Sequence, residues 1–183
     1  MKNRLIISLF SLLVLAQIIV PFSMIARREA ILKTGEQFRF KTEPVDPYDA
    51  FRGRYVALKL EAEKVPQPSG LNLKYDQKVY AQITIDEEGF ARFSALSIER
   101  PHHASYIEAK LGYYSGKDVF LRLPIDRYYM EEKSAPLAEK IYREHSQSDK
   151  KDAYIIVRVK DGLAVIEGLY IEGKRIEDLV KEK

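Results

Sequence analysis

Few side chains in this 183-residue chain have the chemistry for catalysis or metal binding, and their spacing limits what they can do. Cysteine is absent, which removes thiolate catalysis and any disulfide framework. Histidine occurs as the adjacent pair His102-His103 and as His145. Neighbours on an extended segment point to opposite faces, so such a pair rarely closes on one ion. No third ligand follows at a metal-site spacing, and His145 stands alone near the end of a polar helical stretch. The expectation is therefore a solvated loop at His102-His103, no metal and no cofactor. A serine hydrolase needs a nucleophile beside a base, but no Gly-x-Ser-x-Gly occurs, and Ser69-Gly70, Ser105 and Ser115-Gly116 fall in turn contexts. A membrane-anchored Ser–Lys peptidase would carry its serine just beyond the anchor, whereas Ser23 lies inside the apolar run. The acids Asp126, Glu131 and Glu132, with Arg127 nearby, have the types for acid–base work. Glu131 and Glu132 diverge in any regular element, so a salt bridge or a solvated surface is the reading, and no catalytic residue is assigned.

Tyrosine is plentiful, with 12 residues and no tryptophan. Tyr48, Tyr55, Tyr113, Tyr114, Tyr128 and Tyr129 could line a groove for a ligand or partner, since a phenol offers an apolar body and a polar tip. Tyrosine is equally a good strand residue with one wet end.

The elements that position these groups follow from periodicity. A first strand is expected near Phe38-Arg39-Phe40 and a second over about 54–63, with Val56, Leu58 and Leu60 on one face. Pro66 to Gly70 is a loop by composition. Val79 to Ile85 alternates, with Val79, Ala81, Ile83 and Ile85 inward, and Phe90–Ile98 returns as its hairpin partner across Asp86 to Gly89. Leu111–Tyr114 and Val119–Leu123 flank a second hairpin turn at 115–118. A soluble helix is predicted from Ser134 or Ala135 to about Ser146, with Pro136 in its first turn and Leu137, Ala138, Ile141 and Tyr142 at helical spacing. Tyr154–Lys160 and Leu163–Ile171 are joined by Asp161-Gly162, the strongest two-residue hairpin signal in the chain. Glu172-Gly173 turns again, and Ile176–Val180 forms a last short helix or strand. The fold class is mainly β: an antiparallel sandwich or partly open barrel with one short helix, preceded by a transmembrane helix.

That preceding segment is Leu5 to Ala26, uncharged and mostly apolar, flanked by Lys2 and Arg4 before and Arg27-Arg28-Glu29 after. As a helix it rises about 33 Å, enough for a hydrocarbon core of roughly 30 Å. Val14-Leu15-Ala16 has the small-residue pattern of a signal-peptidase site. The uncharged run nevertheless continues to Ala26, which a signal peptide does not need, so a retained anchor is expected. Residues 1–29 are then the anchor and 30–183 an extracytoplasmic domain, with the basic flanks leaning toward an N-terminus inside. The whole chain has 30 Lys plus Arg and 27 Asp plus Glu. Setting aside the basic flanks (Lys2, Arg4, Arg27, Arg28) and Glu29 leaves 26 of each sign in the remainder. A neutral domain offers no electrostatic footprint for nucleic acid, which is excluded as a partner.

One stretch carries a family resemblance: Asp46-Pro47, Arg52-Gly53, Tyr55 and Leu58 resemble the signature of the GDYXXLXY domain, a membrane-anchored domain of bacteria. Arg54 stands where that signature has aspartate, and Leu60 where it has tyrosine. Arg127-Tyr128-Tyr129-Met130-Glu131-Glu132 resembles a second motif of the family, and Val165 to Gly173-Lys174 its closing strand and turn. Such domains are often encoded beside polytopic membrane proteins, so the resemblance implies a membrane-protein partner besides the bilayer. It points to Asp46, Arg52, Gly53, Tyr55, Arg127, Tyr128 and Glu132 as the shared structural and binding core, with Arg127 as partner to a buried acid such as Asp46 or Glu132. The expectation is a non-catalytic accessory or binding domain on the bacterial inner membrane. The alternatives are an envelope-facing hydrolase using two of Asp46, Asp126, Glu131 and Glu132, or an envelope protein that self-associates through edge strands.

Overall fold

A computed structural model describes residues 2–43, 55–68, 73–147 and 152–182. Helix α1 runs from Lys2 to Thr34, past the uncharged run by two further turns. It is long and apolar enough to cross a membrane, and none of that apolar stretch is covered by the rest of the protein. Its last turn enters the domain. Ile31 is buried, and the Gly35 N–H donates to the Ile31 carbonyl at 2.7 Å. A Cβ at Gly35 would lie 2.6 Å from the Ile31 oxygen and 3.1 Å from that of Val159, so only glycine lets the helix end approach the sheet so closely.

Among the described residues twelve strands follow, forming antiparallel sheets that curl into a nearly closed, barrel-like body. In the first sheet, β1 (Glu36–Glu43) pairs with β10 (Ala153–Lys160), which pairs with β11 (Leu163–Ile171) and then β12 (Lys174–Arg175); β3 (Lys59–Leu60) joins the far end of β1. The second sheet has the order β4 (Lys64–Pro66), β8 (Asp118–Arg122), β7 (Tyr106–Ser115), β5 (Lys78–Ile85), β6 (Ala91–Ser97). Strands β2 (Tyr55–Ala57) and β9 (Arg127–Tyr129) make a separate ribbon. Helix α2 (Ala135–Gln147) and helix α3 (Ile176–Lys181) complete the domain.

Period-two alternation places Phe38 and Phe40 of β1 opposite Val157 and Ile155 of β10, all buried. Phe40 meets Phe93 of β6 at 5.8 Å between ring centroids, which joins the two sheets through the core. On the other side, the Glu108 N–H donates to the Gly162 carbonyl at 2.8 Å, within a parallel bridge between Ile107 and Gly162. Bulges at Gln82/Ile83, Ile156/Val157 and Leu111/Tyr114 supply the extra curvature that such closure requires. One of them overturns a face assignment. Strict alternation puts Ile85 inward, but past the bulge Ile85 is 59% exposed. The turns behave as composition predicts. Asp161-Gly162 and Glu172-Gly173 both have positive φ at each central residue, the type I′ geometry that suits tight hairpins. The expected continuous strand over 54–63 is instead interrupted: β2 and β3 flank Leu58, and 61–63 wind into a 3-10 turn.

Candidate functional site

The two internal motifs meet in space. Strand β2 pairs with β9 so that Tyr55 faces Tyr129, Val56 faces Tyr128 and Ala57 faces Arg127. The Leu58 N–H extends the pairing by donating to the Asp126 carbonyl at 2.9 Å. Alternation then sorts the side chains. Val56 and Tyr128 point into the core, while Arg127 and Tyr129 are exposed and Tyr55 is half-buried. On the outer face, the Arg127 guanidinium lies 5.0 Å from the Tyr55 ring centroid, and the Tyr55 and Tyr129 rings stand 5.8 Å apart at a 59° tilt. A cation over a phenol ring is favourable electrostatically. Arg127 has the neighbouring Asp126 as its acidic partner, at 3.5 Å. Both are exposed; of the two acids expected as its partner, Asp46 lies outside the described residues and Glu132 is exposed.

On the inner face, the Tyr128 hydroxyl donates to the Glu177 carboxylate of α3. Burial, reinforced by that carboxylate, pushes the Tyr128 phenol up to about 12. The other oxygen of Glu177 is buried without a hydrogen bond and is approached by Arg175 Nε at 3.5 Å, an ion pair too long to be a hydrogen bond. Tyr128 therefore ties the ribbon to α3 and the end of the first sheet.

A second polar group borders the ribbon, and motif reading missed it. Glu63, in the 3-10 turn, reaches back so that its Oε1 accepts from the Leu60 N–H at 3.1 Å. Burial pushes its carboxyl up to about 7, against the lowering effects of the Leu60 bond and of Lys59. Lys59 is committed elsewhere, to Glu43 at 2.9 Å, a hydrogen bond that raises the lysine pKa. The Tyr142 hydroxyl of α2 donates to the Glu43 carbonyl at 3.0 Å, and burial pushes this phenol up to about 12 as well. The only sequence cue to this group is the spacing of Glu63 three residues after Leu60, at the end of an alternating run.

The structure thus unites Tyr55, Arg127 and Tyr128. Glu132 is exposed in the turn between β9 and α2. Asp46, Arg52, Gly53, Arg54 and Tyr48 lie outside the described residues. Leu60, standing where the signature has tyrosine, is a fully buried core side chain paired with Thr42. Leu5 and Ala26 both lie within α1. Asp126, Glu131 and Glu132 are all exposed, as are His102 and His103 in the loop before β7. Two tyrosines of the expected groove have structural partners. Tyr113 stacks on Phe120 at 4.6 Å, and Tyr114 donates to the Leu73 carbonyl at 2.8 Å. His145 is not alone: its Nδ1 lies 3.2 Å from Asp152 Oδ1.

Architecture and motifs together define a β-rich domain led by one potential membrane span. The family profile of the GDYXXLXY protein matches residues 17–169, and the chain belongs to that family. The match begins inside α1 and ends in β11, so it takes in the C-terminal half of the apolar helix as well as most of the strands. No curated protein and no solved structure matches the chain.

Proposed function

We propose that this protein is a single-pass, membrane-anchored accessory domain that binds a polytopic membrane protein through the outer face of the β2–β9 ribbon. The observation that carries this reading is the division of labour in the ribbon. Its inward residues, Val56 and Tyr128, are consumed by the core, while Tyr55, Arg127 and Tyr129 present a cation between two phenols to solvent. Arginine and tyrosine are the residues that most often anchor protein interfaces. Tyr129 in particular is 66% exposed and makes no core contribution that would explain a large ring there. The surface acids Asp126, Glu131 and Glu132 lack the burial that would tune a pair toward acid–base catalysis, which favours binding over chemistry. The basic residues ahead of α1 support a reading in which the helix inserts with its N-terminus inside and the domain lies on the outer side of a bacterial inner membrane.

The test is affinity purification of the full-length protein from its native membrane in mild detergent, with mass spectrometry. The parent should bring down a stoichiometric polytopic protein. Arg127→Ala with Tyr129→Ala should lose that partner while leaving the circular-dichroism melt unchanged. Recovery of the bait alone, or equal recovery by parent and variant, would refute the reading.

A further inference from the structure

His145 in the last turns of α2, Asp152 at the entry to β10 and Glu172 in the β11–β12 turn come together although they lie far apart in sequence. We infer that they form a binding site for a divalent transition-metal ion of the zinc type, with water completing the coordination shell. The argument is one of donor chemistry and spacing. One imidazole nitrogen and two carboxylate oxygens suit a borderline cation, and one ligand atom from each residue lies within 4.8 Å of the others. Bonds of about 2.0–2.2 Å to a tetrahedral ion set ligands roughly 3.3–3.6 Å apart. The Nδ1 to Oδ1 separation of 3.2 Å between His145 and Asp152 already sits near that edge length. The side chains of His145 and Asp152 are 26% and 22% exposed, so both are fixed by their surroundings yet reachable by an ion. Glu172 is exposed, and its carboxylate lies within 4.8 Å of the other two donor atoms, so metal binding would draw it inward. Its backbone holds φ +50 in a type I′ turn, which fixes the direction from which the side chain leaves.

An ion here would tie together the end of α2, the start of β10 and the turn after β11. Without metal, the same three groups form an imidazole held between two carboxylates, and measurement separates the two states. The site is independent of the β2–β9 ribbon and of the reading built on it.

The experiment uses tag-free full-length protein in detergent, stripped with chelator and titrated with Zn²⁺ against a chromophoric competitor. Cobalt substitution serves as a spectroscopic check of coordination geometry. The expected result is one Zn²⁺ per chain, a visible ligand-field band with Co²⁺, and a higher melting temperature with metal. His145→Ala and Glu172→Gln should each weaken binding by about 100-fold or more, at least what loss of a supporting shell residue costs. His102→Ala with His103→Ala should change nothing. Glu172→Gln alters only an exposed side chain, so it keeps the test open if His145→Ala fails to fold. No stoichiometric binding, or binding lost only in the His102/His103 variant, would overturn the assignment.

Discussion

Replacing Glu63 with glutamine should stabilise the protein at alkaline pH and do nothing in acid. In the fold its carboxyl titrates at about 7 against an ordinary value of 4.5. A group whose folded pKa is raised binds its proton more tightly in the folded state, so stability falls as pH climbs through the window between those values. Below about 4.5 the acid is protonated in both states and costs nothing. Above about 7 it must be buried as an anion, and at 1.36 kcal/mol per unit the penalty reaches about 3 kcal/mol. Glutamine removes the charge and keeps a carbonyl oxygen to accept from the Leu60 N–H. For a domain of this size, about 3 kcal/mol corresponds to roughly 6–12 °C in melting temperature. The assay is a circular-dichroism melt of parent and Glu63→Gln in the same detergent from pH 4.5 to 8.5. Contributions common to both proteins cancel in the difference. The gap should be near zero at the acid end and open through neutrality. A gap that does not change with pH, or a variant less stable than the parent at pH 8, would show that Lys59 compensates the buried charge after all.

Two further substitutions test how the ribbon and the barrel are held. Tyr128→Phe removes the donor to Glu177 and leaves that carboxylate short of a partner, so chemical denaturation should show a loss of about 1–3 kcal/mol. Gly162→Ala forces φ +81 on an L-residue and sets a Cβ 2.5 Å from the Tyr106 ring, whereas a Cβ at Gly116, φ +64, meets nothing within 4 Å. Thermal melts should therefore show Gly162→Ala to be the more damaging, with Gly116→Ala costing about 1–2 kcal/mol from backbone strain alone.

Local patterns make most of the elements legible in the sequence. The Asp161-Gly162 hairpin, α2 with its Pro136 start, and the inward set Val56, Leu58 and Leu60 depend on residues near one another in sequence. Bulges are less visible, because the extra residue at Gln82/Ile83 is chosen by the curvature of the whole sheet; that is why Ile85 turned outward. Both strands of the ribbon are three residues long, too short for alternation to register at 127–129. The pairing of Tyr55 with Tyr129 therefore could not be read from periodicity. The cluster of His145, Asp152 and Glu172 escaped for a different reason: ligand spacing rules assume donors close in sequence, and these are gathered by the packing of α2 against the first sheet.

The junction at Gly35 has a mechanical consequence. Lys160 Nζ donates to the Thr34 hydroxyl at 2.8 Å and Arg158 to the Gly35 carbonyl at 3.3 Å, so two cations of β10 grip the negative end of the α1 dipole. Ile31 plugs the same joint from the apolar side. Helix α1 is thus a stiff spoke, and the barrel does not hang from a tether. In the proposed anchored arrangement, the rise of about 13 Å between Ala26 and Gly35 would set the height of the barrel above the lipid. A change of about 20° in helix tilt, within the range that membrane spans adopt, would swing the base of the barrel sideways by roughly 4 Å. A partner that grips the span inside the bilayer would in this way also steer where the barrel points outside it.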